Sequence, residues 1–422
     1  MDRLLEPYAG SFDRSVLSVA FHPTEPRLVT GSQYRTVKVW SFSTEFKSEP
    51  INVGNIIDTI NTMHAVNSLS FNDDGKFLAT SSNQEFSARI WSMSDMTKRV
   101  TTLSVDTIRH PVSCIAFGQY GYLVTGYNDD SDMMRLWQFS YRDNKAVYHA
   151  TLSGHTKYVI SLTFHPTLYN IFASGSFDNT AKIWSIVSNG KNATCVATLL
   201  GHTGCVASVA FHPDQTVPLF ATGSYDNTAK LWRYSPDSSI VTCVATLTGH
   251  TDYVLSVAFH PTVPLLATGS RDKTAKLWRF LRDGTIATCV ETITYTEKVR
   301  SLSFHPRLPV LAICHDGDNS VTLYDCTKIP PYYDKYMKDM ESIRKANLYN
   351  MASALAPKLF RPPPGSGIVP EAPLSTAEIQ LKQRLGERLK QGGKRGGSKR
   401  AKTRYKKRSR TRCKSWSTSK TR

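Results

Sequence analysis

With 422 residues, 40% of them hydrophobic, the chain has enough apolar material for a large buried core. It has no apolar run of 18 or more residues, and its first residues lack the basic and apolar regions of a signal peptide, which argues against membrane-spanning and secreted proteins. The formal net charge is +18, but residues 392–422 hold 14 lysines and arginines and no acidic residue, so the preceding 391 residues are close to neutral.

Three weakly related units come first in the chain. The first has a strand-like run at residues 16–23, a Thr-Gly-Ser at 30–32 and a third run that ends at Trp40. Shorter versions of this pattern lead to Trp91 and Trp137, and these two versions have no Gly-His pair at the same spacing. Self-similarity of this kind predicts a repeat protein.

The pattern becomes regular between residues 152 and 280, where it occurs three times. Each copy has a Gly-His pair, a run ending in Phe-His-Pro, a Ser/Thr-Gly-Ser-x-Asp segment and a closing tryptophan, with a period of 46 to 48 residues. The pairs and tryptophans are Gly154-His155 with Trp184, Gly201-His202 with Trp232, and Gly249-His250 with Trp278. A seventh unit follows and ends at Tyr324, with tyrosine in place of tryptophan.

Four strands are predicted in each regular unit. In the second copy we expect them at residues 206–211, 219–222, 229–233 and 243–247. The turn at residues 223–228 should fold Thr222 back roughly opposite Trp232. Four strands without a helix make an antiparallel meander, and inner strands that are apolar on both faces require neighbouring units to stack on each side.

In this order, the motifs resemble those of the WD-repeat β-propeller family. The aspartate that usually follows the tryptophan in that family is replaced by Ser185, Arg233 and Arg279, which is a common departure. The resemblance implies an all-β fold, with residues 1–326 forming a seven-bladed β-propeller of four-stranded antiparallel blades. Residues 4–8 stand where the fourth strand of the last unit is missing, so we expect them to complete the seventh blade.

Beyond the repeats, the composition changes four times. We predict a helical extension at residues 327–361, a Pro/Gly linker at 362–374, a short amphipathic helix at 375–391 and a disordered Lys/Arg-rich tail at 392–422. In the short helix, Leu381, Leu385 and Leu389 form a stripe that either packs on the propeller or binds a partner helix.

Three of the eight cysteines occupy equivalent positions in successive units, at Cys195, Cys243 and Cys289. Equivalent positions in separate sheets are too far apart for a disulfide or a shared metal. We therefore expect free thiols in a reducing compartment.

Serine or threonine, histidine and aspartate recur together in the three regular units, which by itself would suggest a nucleophilic triad. An enzyme needs one such site rather than one per blade, and the resemblance implies instead a buried hydrogen-bond network that includes the tryptophan. Its members are His155, Ser174, Asp178 and Trp184, then His202, Thr222, Asp226 and Trp232, then His250, Thr268, Asp272 and Trp278. We find no metal-ligand cluster or phosphate-binding loop, so no cofactor is predicted and a propeller enzyme is the weaker alternative.

The same resemblance indicates which residues are available to partner proteins. In the family, positions at the rim of the narrower face contact ligands, and exposed aromatic and arginine side chains there are typical of binding hot spots. The alternative is that scattered surface aromatics carry no function. The predicted partner-binding residues are Tyr158, Ile160, Phe177, Tyr225, Tyr253, Leu255 and Arg271, with Cys205 and Ala207 at the matching positions of the fifth unit.

The basic tail allows three interpretations, namely binding to DNA or RNA, nuclear or nucleolar targeting, and contact with an acidic protein or membrane surface. Tails of this composition also occur in nucleic-acid-packaging proteins, including those of large viruses. The residues concerned are Lys394, Arg395, Lys399, Arg400, Lys402, Arg404, Lys406, Lys407, Arg408, Arg410, Arg412 and Lys414. The resulting hypothesis is an intracellular, non-enzymatic scaffold, nuclear or otherwise cytoplasmic, that acts as a monomeric propeller within a protein complex.

Overall fold

The computed structural model describes residues 15–42, 53–82, 84–94, 99–104, 110–128, 134–187, 190–214, 216–235, 240–316 and 321–329. These residues form strands, with short 3-10 turns at Gln119–Gly121 and Cys326–Lys328. In chain order the strands are β1 Val16–Phe21, β2 Arg27–Ser32, β3 Thr36–Phe42, β4 Val53–Asn61, β5 Ser68–Phe71, β6 Phe77–Ser81, β7 Ala88–Ser92, β8 Arg99–Leu103, β9 Val112–Phe117, β10 Tyr122–Tyr127, β11 Met134–Ser140, β12 Lys145–Leu152, β13 Val159–Phe164, β14 Ile171–Ser176, β15 Ala181–Ile186, β16 Ala193–Leu199, β17 Val206–Phe211, β18 Leu219–Ser224, β19 Ala229–Tyr234, β20 Val241–Leu247, β21 Val254–Phe259, β22 Leu265–Ser270, β23 Thr274–Phe280, β24 Ala287–Thr294, β25 Val299–Phe304, β26 Val310–His315 and β27 Val321–Asp325.

Consecutive strands pair into seven antiparallel sheets, which we number as blades 1 to 7. Blades 1 to 6 each contain four strands, and blade 7 contains β25, β26 and β27 within the described residues. The first strands of neighbouring blades contact one another around the ring, and the ring closes where β25 contacts β1. The predicted seven-bladed propeller is confirmed. Residues 4–8, the predicted closing strand, and all segments predicted beyond residue 329 lie outside the described residues.

The hydrophobic core lies between the blades. The second strands β14, β18 and β22 are buried at every position, because each is covered by a neighbouring blade on both faces. Between blades 5 and 6, for example, Leu219 and Leu231 pack with Leu266 and Trp278. The outermost strands consist mostly of exposed and half-buried positions instead, so apolar burial decreases from the centre of the ring to its edge.

The register within a blade differs from the prediction in one respect. Phe220 pairs with Trp232, and Thr222 pairs with Lys230, so Thr222 lies two residues away from the tryptophan along the strand pair. The two side chains nevertheless meet, because the indole leans along the strand and its N–H reaches Thr222 Oγ1 at 2.9 Å.

Serine side chains join the first strand of one blade to the main chain of the next. Ser208 Oγ accepts a hydrogen bond from Val257 N at 3.0 Å, and Ser256 Oγ accepts one from Leu302 N at 3.0 Å. Serines in blades 1 to 4 also reach the next blade: Ser161 Oγ accepts from Val209 N, Ser68 bonds both the N–H and the carbonyl of Ile115, and Ser18 and Ser113 donate to the carbonyls of Val66 and Val159. These inter-blade bonds were not predicted from the sequence, although the serines of blades 1, 2, 4, 5 and 6 occupy one position of the repeat; in blade 3 that position holds Cys114, and the adjacent Ser113 makes the bond.

Candidate functional site

A chain of buried hydrogen bonds crosses blade 5. The Trp232 indole N–H donates to Thr222 Oγ1, which lies 2.7 Å from His202 Nε2, and His202 Nδ1 lies 2.7 Å from Asp226 Oδ2. A carboxylate can only accept, so Nδ1 carries the imidazole proton and donates it to Asp226. In the neutral ring Nε2 is then the acceptor, and the Thr222 hydroxyl donates to it.

Blades 4 and 6 repeat this geometry. The matching bonds join Trp184 to Ser174 at 2.8 Å, Ser174 to His155 at 2.7 Å, His155 to Asp178 at 2.7 Å, Trp278 to Thr268 at 2.8 Å, Thr268 to His250 at 2.7 Å and His250 to Asp272 at 2.8 Å. The glycine before each histidine is required by the backbone, since φ at Gly201 is +137°, a region that other residues avoid. The structure thus brings together all twelve residues of the expected network, four in each blade.

Burial and charge fix the protonation states along the chain. Burial lowers the pKa of His202, although the neighbouring Asp226 opposes the shift. Burial alone would raise the pKa of Asp226, but hydrogen bonds from Thr228 and His202 outweigh it and hold the pKa below its usual value. At neutral pH the pair is therefore a neutral imidazole that donates to a carboxylate.

The carboxylate also fastens two loops to each other. Asp226 Oδ2 accepts from Thr203 N at 3.1 Å, and Oδ1 accepts from Thr228 N at 2.9 Å and Thr228 Oγ1 at 2.6 Å. Thr203 precedes β17, whereas Thr228 ends the turn between β18 and β19. The network thus ties the entry of the blade to its central hairpin.

Access to these groups is closed. The hydroxyl-bearing residues Ser174, Thr222 and Thr268 are all 0% exposed, and each oxygen is already engaged by tryptophan and histidine. A nucleophilic oxygen must reach a substrate carbonyl or phosphorus, and no path leads to these oxygens. The arrangement shares the connectivity of a catalytic triad but lacks the exposed nucleophile that such a site requires.

Blades 1 to 3 keep only the inner half of the network. Their tryptophan N–H groups donate to threonines over 2.9 to 3.0 Å, and among the described residues no histidine or aspartate extends these bonds. The pairs are Trp40 with Thr30, Trp91 with Thr80, and Trp137 with Thr125.

In blade 3 a tyrosine, rather than a histidine, bonds to the threonine hydroxyl. Thr125 Oγ1 donates to the Tyr127 hydroxyl at 3.3 Å, as Thr222 donates to His202 in blade 5. The Arg135 guanidinium lies 4.7 Å from the centre of the Tyr127 ring and is 2% exposed. In blade 3 a tyrosine hydroxyl, on a ring that carries a stacked arginine, therefore accepts the hydrogen bond that histidine accepts from the hydroxyl in blades 4 to 6.

The histidines of the Phe-His-Pro motifs were not assigned a role from the sequence. Their Nδ1 atoms accept main-chain N–H bonds from the following turn, as His305 does from Arg307 at 3.1 Å and from Leu308 at 2.9 Å. Burial lowers the pKa of His165, His260 and His305 to about 4, so each ring stays neutral and can accept. Their recurrence at one position before proline was the signal that could have indicated a turn-forming function.

A central cavity of about 500 Å³ opens between the first strands of all seven blades. Its lining includes Tyr158, Ile160, Phe177, Tyr225 and Leu255, all among the predicted partner-binding residues. Phe177 and Tyr225 belong to the turns between the second and third strands, so the cavity opens on the face that carries these turns. We call this opening the channel mouth.

Aromatic rings form a continuous row beside the channel mouth. Tyr158 stacks on Phe177 with ring centres 4.0 Å apart, Phe177 meets Tyr225 edge to face at 5.7 Å, and Tyr225 stacks on Tyr253 at 4.3 Å. The Arg271 guanidinium lies 5.4 Å from the Tyr253 ring centre. The four rings are half-buried and Arg271 is exposed. These five residues, which we call the aromatic row, span blades 4 to 6 as one surface.

One predicted rim position is closed. Cys205 is 5% exposed, and burial raises the pKa of its thiol to about 12. Ala207 at the next rim position is half-buried and borders the cavity. In blade 5, Tyr225 is therefore the main rim residue that is accessible to a partner.

The predictions for cysteines and metals concern other parts of the blades. Cys195, Cys243 and Cys289 are exposed free thiols on the outermost strands, as predicted. Among the described residues, no three histidine, cysteine or acidic side chains lie together in a way that would hold a metal ion. Over the same ranges, the structure contains no helix of the length and apolarity needed to cross a bilayer. The basic tail residues lie outside the described part of the chain.

Comparison with known proteins agrees with the repeat structure. The family model described as "WD domain, G-beta repeat" matches residues 4–41, 55–92, 147–185, 193–233 and 241–279. The chain is also similar to the U3 small nucleolar RNA-associated protein 15 of Saccharomyces cerevisiae, with 25% identity over 170 residues. This alignment covers 40% of the present chain and 30% of the yeast protein, so the similarity is restricted to part of each.

Proposed function

We propose that this chain, which belongs to the WD-repeat family of β-propellers, is a non-enzymatic scaffold that binds proteins at its channel mouth. The aromatic row carries this proposal. Its rings are half-buried and connected, so a partner that covers them gains apolar contact without first having to order them. Tyrosine and arginine are also the residue types that dominate binding energy at interfaces.

The burial of the hydroxyl, histidine and aspartate groups supports a non-enzymatic function. All three nucleophile-like oxygens are inaccessible, and the same arrangement occurs in three blades. Its contribution is to blade stability, because each member would be costly if buried without a partner.

We further propose that the scaffold works in an assembly that contains RNA, in the nucleus or nucleolus. The similarity to a yeast protein named as U3 small nucleolar RNA-associated supports this, as does the basic composition of residues 392–422. Lysine and arginine gain affinity mainly by releasing counterions from phosphates, so such a tail binds nucleic acid with little sequence preference.

The protein-binding surface is tested by the double change Tyr225→Ala with Tyr253→Ala. We expect it to abolish recovery of the proteins that the intact chain captures from nuclear extract, with a small decrease in melting temperature from the lost ring contact. The matched control is Tyr120→Ala with Tyr169→Ala, which also removes two tyrosines in ring contact, 5.3 Å apart, from a different surface. Full capture by the Tyr225 and Tyr253 variant would contradict the proposal.

The tail is tested by truncation after Gln391. If about half of the 14 charges engage duplex DNA, log K against log salt should have a slope of about −6 for the intact chain. The truncated chain should lose nearly all of this binding. Binding that persists after truncation, or that does not change with salt, would place the nucleic-acid site on the propeller.

A further inference from the structure

Blade 7 differs from its neighbours at the rim. In blades 4 and 6 the rim positions hold aromatic, aliphatic and exposed arginine residues, whereas in blade 7 the corresponding positions hold Lys298, Arg300 and Asp316. The correspondence is shown by the main chain, since Asp316 N donates to Lys298 O as Arg271 N donates to Tyr253 O. Three charged residues therefore follow the aromatic row around the ring.

Two cations share one carboxylate in this group. Arg300 Nε donates to Asp316 Oδ1 at 3.2 Å and to Oδ2 at 3.1 Å, and Lys298 Nζ lies 2.9 Å from Oδ2. The aspartate side chain is 12% exposed and the arginine side chain 37%. The group has one positive charge in excess, and that charge is held in place rather than mobile.

Arg300 directs this charge into the channel mouth. It is the one charged side chain among the described residues that line the 500 Å³ cavity. Its two terminal nitrogens make no hydrogen bond to a described residue, because Asp316 engages Nε alone. A guanidinium whose Nη1 and Nη2 are available presents the two parallel donors that match the two oxygens of a carboxylate.

The other residues that line the cavity favour a ligand that has an apolar group next to its carboxylate. Tyr158, Phe177 and Tyr225 border the same cavity, together with Ile160 and Leu255. No acidic side chain is found among the described lining residues, so no charge in the cavity wall opposes an incoming anion. The cavity thus offers one fixed cation beside an aromatic wall.

We propose that the channel mouth binds an acidic peptide segment of a partner protein, in which a glutamate or aspartate carboxylate meets Arg300 and an adjacent apolar side chain packs against the aromatic row. This inference rests on the proposed function, because it specifies the chemistry of the partner at the same surface.

The geometry favours a carboxylate over a phosphate and a peptide over RNA. Phosphorylated motifs are bound by clusters of arginines, and this lining holds a single one. Bases of single-stranded RNA stack on open aromatic faces, whereas these rings stack on one another, as Tyr225 and Tyr253 do with an angle of 5° between their planes. The groups available to a ligand at the channel mouth are therefore the edges of these rings and the single cation of Arg300.

The test is affinity selection of a random 12-residue peptide library displayed on phage, with the full chain as target. We expect enriched sequences to contain glutamate or aspartate next to an aromatic or large aliphatic residue. A synthetic peptide of the enriched sequence should bind Arg300→Gln about tenfold to a hundredfold more weakly, the loss expected for charge-assisted hydrogen bonds. The same loss should follow when its acidic residue is changed to glutamine.

Two controls separate this effect from misfolding. In Arg300→Gln, Asp316 keeps its ion pair with Lys298, so the melting temperature should be almost unchanged. Arg282→Gln removes another aspartate-paired arginine, whose Nη2 lies 3.4 Å from Asp214 Oδ2 and which does not line the cavity, and peptide affinity should remain at the wild-type value.

Several outcomes would overturn the proposal. Enrichment of no sequence, or of sequences without acidic residues, would do so, as would tighter binding of a phosphoserine version of the peptide. Competition by a mixed-sequence 20-nucleotide RNA that depends on Arg300 would assign the site to nucleic acid. If non-acidic peptides are selected and need Tyr225 and Tyr253, the rim still binds proteins and only the acidic chemistry is wrong. If the selected peptides bind equally well without these tyrosines, the proposed function fails as well.

Discussion

Blades 4 to 6 and blades 2 and 3 reach the same fold by different means. In blades 4 to 6 each tryptophan is connected through threonine or serine and histidine to an aspartate whose side chain is 5 to 9% exposed. Blade 2 has the tryptophan–threonine bond and an ion pair between Glu85 and Arg89, and blade 3 has Tyr127 and Arg135. The comparison shows that the bond from tryptophan to a hydroxyl is common to all five blades, whereas the polar side chains around it differ from blade to blade.

The largest effect is expected from His202→Ala in blade 5. The substitution removes the imidazole N–H that Asp226 Oδ2 accepts, so that only Thr203 N still donates to this oxygen, and it leaves the buried Thr222 hydroxyl without an acceptor. We expect the free energy of unfolding to fall by roughly 2 to 3 kcal/mol, measured by urea denaturation. Lys230→Ala on the neighbouring strand removes a half-buried side chain whose Nζ makes an exposed bond to Thr246, and its effect should stay within about 0.5 kcal/mol. Equal losses from the two variants would mean that the network does not stabilise the blade.

We expect acid to destabilise blades 4 to 6 before blades 2 and 3. Blades 4 to 6 each contain two buried histidines whose pKa burial lowers, one in Gly-His and one in Phe-His-Pro, whereas Asn72 and Gly118 replace the Phe-His-Pro histidine in blades 2 and 3. The unfolded chain binds these protons below pH 6.5 and the folded chain only at lower pH, near 4 for His165 and His260. Stability therefore decreases as pH falls from about 6.5 to 4.

Hydrogen–deuterium exchange at pH 7 and at pH 4.5, corrected for intrinsic rates, resolves this by blade. We expect protection to be lost earlier in β13 to β24 than in β5 to β12. Loss of protection in the reverse order, or in all blades together, would contradict the assignment of the acid response to these histidines.

The variant Tyr127→Phe tests the hydrogen bond that blade 3 has in place of the histidine network. If Tyr127 takes the place of histidine in blade 3, removing its hydroxyl leaves Thr125 without that acceptor while the ring still packs under Arg135. The expected loss is about 0.5 to 1.5 kcal/mol of unfolding free energy, the net contribution of one hydrogen bond. Tyr148→Phe is the control, since its hydroxyl bonds to Thr151 at an exposed site and should matter little.

The smallest effect is expected from Arg271→Ala at the end of the aromatic row. Its side chain is 54% exposed, 3.6 Å from Asp252, and such pairs contribute between zero and about 1 kcal/mol. Thermal melting should change little, whereas capture of partner proteins should weaken. A large loss of stability would show that this rim position belongs to the fold rather than to the binding surface.

The sequence predicted the parts of this molecule that repeat. Strand β17 was predicted with its observed bounds, and the four members of the blade 5 network were predicted from the resemblance to the WD-repeat family, which the recurring motifs revealed. Tyr127 could not be predicted as a substitute for histidine, because it lies at the end of β10, whereas the histidine of blades 4 to 6 lies in the loop before the first strand. Arg300 was missed for a related reason, since rim positions were assigned only in the three regular units and its chemistry depends on Asp316 across the blade. Side chains that cooperate across strands in one blade only leave no periodic signal.

The serine links between blades have a consequence for how such a chain can diverge. Each link joins a side chain in one blade to a main-chain group in the next, as between Ser208 and Val257. A main-chain partner is present whatever side chain its residue carries, so a blade need not match the sequence of its neighbour in order to be joined to it. The contact between neighbouring blades therefore does not depend on the particular sequence of either blade. Blade 3 can have tyrosine in place of histidine, and blade 7 can have charged residues at its rim, while the ring remains closed.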